Sequence, residues 1–304
     1  MRWLRRLMTS TSKPISTWGR DAMKTTLQIL DDRMEREQDT SHRPHLGASS
    51  IGGECERKTW YSFRWALEPD FTADVLRKFR DGHESEELVA RELEQVVELM
   101  GRQARFQDGH FGGSVDGIIR SGLIEAPDTP HIWEHKAVSD KRYDELHRLR
   151  ERHALLDDEG SVLLKWMPTY YAQAQIYMYK LKIDWHYMTI ASAGSRRLLS
   201  LRTPLDEVYA RELEDKAQRI IKSLEAPRKV SPDFDFWLCR FCDYAGLCHG
   251  NNQPDKSCRS CRYAEALSDG RWRCMFFEGE LDDEKQKRGC EEHRRFLDGG
   301  RVLD

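Results

Sequence analysis

The chain has 304 residues, 39% of them hydrophobic and 33% charged, with a formal net charge of −3. That length buries one sizeable core with room for a small satellite. No apolar run approaches bilayer-spanning length, so no membrane association is expected. The near-neutral balance means that any nucleic-acid role needs a local basic path.

The opening Met1–Met8 is basic and amphipathic, without the longer apolar core and cleavage site of a secretory signal. It reads as a helical start or an arm, and the expected compartment is a reducing cytoplasm. There, seven of eight cysteines falling after residue 238, in close pairs, favour metal sites over disulfides. Ile15, Trp18, Ala22, Leu27, Leu30 and Met34 form a helical stripe over 14–38, expected to pack on the core. Asp39 to Pro44 breaks it. The small-residue turn Ala48-Ser-Ser-Ile-Gly-Gly leads into a helix carrying Trp60, Phe63 and Trp65. Cys55 lies near its start, where the helix dipole favours a thiolate.

Residues 72–100 read as one long helix through Val75, Leu76, Phe79, Leu88, Val89, Leu93, Val96 and Val97. Gly82-His83-Glu84-Ser85-Glu86-Glu87 interrupts it. A helical glycine costs about 1 kcal/mol against alanine, which a close backbone or ligand approach would explain. The alternative is a solvated acidic turn, the expectation for Glu84 and Glu87.

Arg105 to Val138 supplies the central strands: Phe106, the run 111–119 and the run 132–138. Asp116 ends one apolar run, and Glu134 and Lys136 lie two apart in the next. Residues two apart on a strand share a face. Two carboxylates and an ammonium at one point are costly unless a cation and an anionic substrate join them. Mg²⁺ or Mn²⁺ suits hard oxygen ligands, and the set then suits metal-assisted phosphodiester hydrolysis. The bland alternative is a solvated strand face.

From Ser139 to Trp166 the chain turns polar. Lys141, Arg142, Arg148, Arg150, Arg152 and Lys165, mixed with acids, give a solvated helix by default or a flap that contacts phosphates. Pro168 opens another helix. Gln173 and Tyr177 share one of its faces, and with Gln175 they suggest the lining of a polar cleft. Two strands follow, near 185–191 and 197–202. Thr203-Pro-Leu-Asp206 reads as an N-cap with proline first, opening a helix that runs to about Leu224 and ends at Pro227.

Cys239, Cys242 and Cys248 need one more thiolate, for which Cys55 is the candidate; such a set holds zinc or an iron–sulfur cluster. Cys258, Cys261, Cys274 and Cys290 are complete by themselves. Zinc is the expectation there, with His293 able to replace Cys290. Trp272, Phe276, Phe277 and Phe296 are expected to pack around it.

Together these residues resemble the PD-(D/E)XK nuclease superfamily, in its RecB-like branch, over about residues 46–250. CRISPR-associated RecB-type exonucleases and phage exonucleases are the nearest in pattern. The resemblance implies an α/β core, a mixed central sheet flanked by helices, with a small C-terminal four-cysteine metal module. Asp116, Glu134 and Lys136 match the metal-binding acids and catalytic lysine. Glu86 matches the helix glutamate of lambda-type enzymes, and His83 matches the metal-binding histidine of the RecB branch. The His135 carbonyl completes the metal shell in this picture. Gln173-x3-Tyr177 matches a motif that positions the substrate strand. Cys55, Cys239, Cys242 and Cys248 match a [4Fe–4S] staple joining the chain before and after the core. The implied organisation is an arm over 1–45, a nuclease core over 46–250 and the metal module over 251–304. The implied function is Mg²⁺- or Mn²⁺-dependent hydrolysis of DNA from its ends, with a recombination or CRISPR protein as possible partner. The alternatives are a non-catalytic DNA-binding or adaptor protein, and an interaction protein scaffolded by zinc.

Overall fold

The structure, a computed structural model, describes residues 24–153 and 159–296, the side chains of 159–161 apart. The expected arm Met1–Met8 and the first half of the 14–38 helix lie outside the described residues.

In chain order the elements are α1 (Thr26–Arg36), β1 (Leu46–Gly47), a 3-10 turn (Ala48–Ser50), α2 (Glu56–Phe63), α3 (Ala73–Leu93), β2 (Glu98–Met100) and β3 (Arg105–Asp108). Then come β4 (Phe111–Ser114), β5 (Gly117–Ser121), β6 (His131–Val138), α4 (Asp140–His153), α5 (Glu159–Trp166) and α6 (Pro168–Leu181). β7 (Trp185–Ser192), β8 (Leu198–Pro204), α7 (Glu207–Lys222), α8 (Trp237–Arg240) and α9 (Ala245–Cys248) follow. The chain closes with β9 (Ala264–Ala266), β10 (Trp272–Cys274), β11 (Gly279–Leu281) and α10 (Asp283–Arg288).

The main sheet has the order β2-β5-β6-β7-β8 and is mixed α/β in character. Only β6 and β7 run parallel in it, which requires a long crossover; α4, α5 and α6 supply it. β6 is covered on both faces, so its first five residues are buried without alternation. On one face Trp133, Ile119 and Tyr187 pack with Val89 and Ala90 of α3. On the other, Ile132 joins Trp60, Phe111, Ile176 and Ile220. A third cluster packs Tyr143, Leu146, Leu163 and Trp166 against Met188, Ile190 and Leu201.

Several expectations are corrected. The long helix stops at Leu93, and Val96 and Val97 lie in the turn before β2. The β-branched pair disfavours helix, and Leu99 gains a partner in Ile119 by pairing with β5. The run 111–119 is two strands in two sheets, because β4 pairs with β1 and β3. Asp116 sits in the break between them. α1 buries no residue; Leu27 is 70% exposed. Polar ties hold this helix instead: Glu35 accepts from the Ala73 N–H (2.8 Å), and Asp31 pairs with Arg77. Thr203 and Pro204 finish β8 rather than cap a helix. Asp206 is the cap, accepting from the Tyr209 N–H (3.0 Å). Gln175, expected in a cleft, is fully buried and ties β8 to α7: its amide donates to the Pro204 carbonyl (3.0 Å) and accepts from the Asp206 N–H (2.6 Å).

The C-terminal sheet β9–β11 also differs from expectation. Trp272 and Phe296 leave the cysteines and enter the main core, where Phe296 meets Trp60 edge-on at 4.7 Å and Trp272 lies 5.2 Å from Phe63. Phe276 and Phe277 stay largely exposed beside the cysteines.

Candidate carboxylate–lysine site

Strand alternation decides the geometry. Trp133 and His135 face α3, whereas Glu134 and Lys136 face α6. The Lys136 ammonium donates to Glu134 Oε1 at 2.6 Å, and the Gln173 amide of α6 donates to the same oxygen at 2.9 Å. Gln173 also donates to the Tyr177 hydroxyl at 3.1 Å. Glu134 Oε2 is buried and has no hydrogen-bond partner among the described residues.

Asp116 arrives from the break between β4 and β5. Below Gly117 the ladder to β6 has ended, so the His135 N–H lacks a strand partner; Asp116 Oδ2 takes it at 2.7 Å. Glu86 of α3 is buried and accepts from the Gln103 amide (3.0 Å) and Arg102 (3.4 Å). His83, one turn earlier, has a side chain 83% exposed, with Nδ1 3.7 Å from Glu86 Oε2. Between the two, Glu86 points inward and His83 stands at the rim. Gly82 has open space where a Cβ would be, so no close backbone approach explains it. The His135 ring lies on the strand face opposite Glu134, between Ser85 Oγ (2.9 Å) and Thr189 Oγ1 (3.0 Å). His83, Glu86, Asp116, His135 and Lys136 line one open cavity of about 440 Å³.

The electrostatics follow from burial. Glu134 is pushed up to about 7, by burial first; Lys136 opposes this, while Asp116 and Glu86 add to it. Asp116 is also raised by burial, against Lys136. Glu86 is raised by burial and then by Asp116. Burial works against the Lys136 ammonium, but Glu134 and Asp116 outweigh it and hold its pKa above the usual lysine range. Burial and then Lys136 bring His135 down to about 4, so its ring is neutral.

Asp116 and Glu134 thus share Lys136, while Glu86, which repels both, pairs with Arg102 at 3.4 Å. Every donor is a hard oxygen and one buried oxygen is bare, a set whose chemistry fits a divalent cation. As they stand, no three His, Cys, Asp or Glu side chains among the described residues are grouped to hold a metal ion. The carboxylates are instead engaged by Lys136, Gln173, Gln103, Arg102 and the His135 N–H.

Arg102, Gln103, Ser85, Thr189 and Tyr170 are members of this neighbourhood that motif reading misses. Arg102 donates to the Asp116 carbonyl at 3.0 Å, and Lys136 Nζ lies 5.7 Å from the Tyr170 ring centre. The available signal was Gly101, whose φ of +59° marks a tight turn that returns Arg102 and Gln103 to the site.

On α4, Lys141, Arg142, Arg148 and Arg152 are exposed, and Arg142 pairs with Glu145 at 3.0 Å. All eight cysteines are free thiols. Cys55 caps α2, its sulfur accepting from the Lys58 N–H at 3.4 Å. Cys55, Cys239, Cys242 and Cys248 line one cavity of about 870 Å³. Cys239 is raised by burial first, then by Cys55 and Cys242, so these thiols lie within electrostatic reach of one another.

No protein-family model and no curated protein matches the chain. Among solved structures, it is similar to the alkaline exonuclease LHK-Exo of Laribacter hongkongensis: 17% identity, 58% of this chain and 86% of that one, TM-score 0.38. The same enzyme in complex with dAMP matches at 16% identity and TM-score 0.36, over 58% and 86%. A phage-related exonuclease of Haemophilus somnus matches at 14% identity, 59% of this chain and 92% of that one, TM-score 0.39.

Proposed function

We propose that the chain is a deoxyribonuclease dependent on Mg²⁺ or Mn²⁺, acting as an exonuclease on DNA ends. The observation that carries this reading is the bare, buried Glu134 Oε2 beside Lys136 and within the field of Asp116 and Glu86. Asp116 and Glu134 would hold the cation, with Glu86 on the inner side and the His135 carbonyl as a further oxygen. The bound cation supplies a water of lowered pKa and neutralises charge on the phosphate.

The chain's own residues do the rest. Lys136 holds the attacking water or the scissile phosphate. Gln173, which also donates to the Tyr177 hydroxyl, fixes Glu134 Oε1, leaving Oε2 for the cation. His83 stands at the rim, where a substrate strand would pass. The exposed cations of α4 follow β6 directly and suit phosphate-backbone contact. In the same reading Cys55, Cys239, Cys242 and Cys248 hold a structural [4Fe–4S] cluster; soft thiolates suit it.

The test is digestion of linear DNA labelled at either end by anaerobically purified protein, with Mg²⁺ or Mn²⁺, a chelator, and the D116N variant. Asparagine keeps an acceptor for the His135 N–H, so folding is preserved. Release of label only with metal, reduced in D116N to the chelated level, is the expected result. A D116N protein as active as the wild type overturns the reading.

A further inference from the structure

The second cysteine set stands beside an unusual pair of cations. Arg64, at the end of α2, and Arg259, between Cys258 and Cys261, are each 1% exposed. All their contacts are neutral. Arg64 donates to the carbonyls of Cys261 (2.6 Å) and Ala264 (2.8 Å), and its Nε has no partner. Arg259 donates to the carbonyls of Phe63 (2.9 Å) and Pro44 (2.5 Å) and to the Gln286 amide oxygen (2.9 Å). Its guanidinium lies between the rings of Trp65 (4.1 Å) and Trp272 (4.4 Å). Neither arginine forms an ion pair among the described residues. Ring faces and carbonyls offset part of the cost, and the field of Asp283 reaches Arg259, but two guanidiniums buried without an ion pair remain costly.

The counter-charge has a place to sit. Cys258, Cys261, Cys274 and Cys290 line one small cavity of about 10 Å³, room for a single atom-sized occupant. The Cys261 N–H turns back to the Cys258 carbonyl at 3.1 Å, bringing those two residues together. Cys274 ends β10, the central strand of the small sheet. All four cysteines face this one cavity, although as the chain stands the described residues do not draw them together as a metal-binding group. His293, the alternative ligand, is already engaged with Ser260 Oγ at 3.2 Å.

We infer that Cys258, Cys261, Cys274 and Cys290 bind one zinc ion, and that this centre is the counter-charge of Arg64 and Arg259. Four thiolates around Zn²⁺ leave two negative charges, equal and opposite to the two guanidiniums. The arginines are positioning residues: they hold the metal module against α2 and stabilise the ligands in their thiolate form. The inference does not depend on the nuclease reading.

The test is elemental analysis of the full chain, wild type beside C274S/C290S, with zinc release to a chelator followed in wild type and R259M. The expected result is one zinc per chain, lost in C274S/C290S with iron unchanged. R259M should retain zinc about 10- to 100-fold less tightly, with R259K intermediate. If C274S/C290S does not fold, C290S (an exposed position) and the tetrahedral tetrathiolate spectrum of cobalt-substituted wild type decide the point. Zinc absent from the wild type, or iron lost with the C-terminal cysteines, overturns the site. Zinc retention unchanged in R259M overturns the charge pairing.

Discussion

Glu134 has one oxygen tied by Lys136 and Gln173 and one oxygen bare. Its carboxyl, raised to about 7 by burial, keeps its proton where an ordinary glutamate has lost it. A cation must displace that proton below pH 7. Mn²⁺ affinity should therefore fall about tenfold per pH unit below 7 and level off above it. Titration of Mn²⁺ binding from acid to alkaline pH checks this; a profile flat across pH 7 would contradict it. Stability runs the opposite way. The folded chain holds this proton more tightly than the unfolded chain, so the metal-free protein loses stability as pH rises from about 4.5 towards 7. Lys136, raised above the usual lysine range, contributes evenly over that window. Gln173→Ala removes the amide that fixes Oε1. It should lower DNA cleavage about 10- to 100-fold at a stability cost of roughly 1–3 kcal/mol. A Q173A protein that cleaves as fast as wild type would remove Gln173 from the site.

At the scale of elements, α6 is held against the chain before α2 with no room to spare. A Cβ on Gly52 would stand 2.7 Å from Ala172 Cβ and 2.9 Å from the Thr169 Cα. Gly52→Ala should therefore cost about 1–3 kcal/mol and slow cleavage by moving the start of α6, the helix that carries Gln173. Urea denaturation beside the cleavage assay checks both. That Glu134 and Lys136 share one face, and Gln173 and Tyr177 another, was legible because i,i+2 on a strand and i,i+4 on a helix fix which side chains align; periodicity alone does not bring the two pairs together. The approach of Arg102 and Gln103 was not legible, because it depends on a left-handed turn at Gly101 and Gln103. The break of 111–119 at Asp116 was hidden for a related reason. One apolar run can serve two sheets when Val115 bonds to the Ala104 carbonyl instead of continuing the strand (2.9 Å). Thr203-Pro204 misled because proline ends a strand as readily as it opens a helix, when only its carbonyl is needed.

At the scale of the molecule, α2 joins everything. Its Trp60, Tyr61 and Phe63 enter the main core with residues from β4, α6, α7 and the C-terminal sheet. Cys55 caps it beside the cavity shared with Cys239, Cys242 and Cys248, and Arg64 ends it against Cys261. Trp272 and Phe296 look like a private core for the last segment, but they complete the core of the first. If a cluster ties Cys55 to α8 and α9, Cys55→Ser should lose iron and about 3 kcal/mol of stability, as when a long loop is opened. That corresponds to a Tm lower by roughly 6–12 °C. Unchanged iron and Tm in C55S would exclude Cys55 as a ligand.

The central claim is that the carboxylates of β6 and of the β4–β5 break hold a hard divalent cation. Mn²⁺ binding to the DNA-free protein, followed by paramagnetic resonance in wild type, D116N and E134Q at pH 8, addresses it without reference to any substrate. Saturable binding in the wild type, weakened about 10- to 100-fold in both variants, is the predicted result. Equal binding in all three proteins, or none in the wild type, would contradict the account.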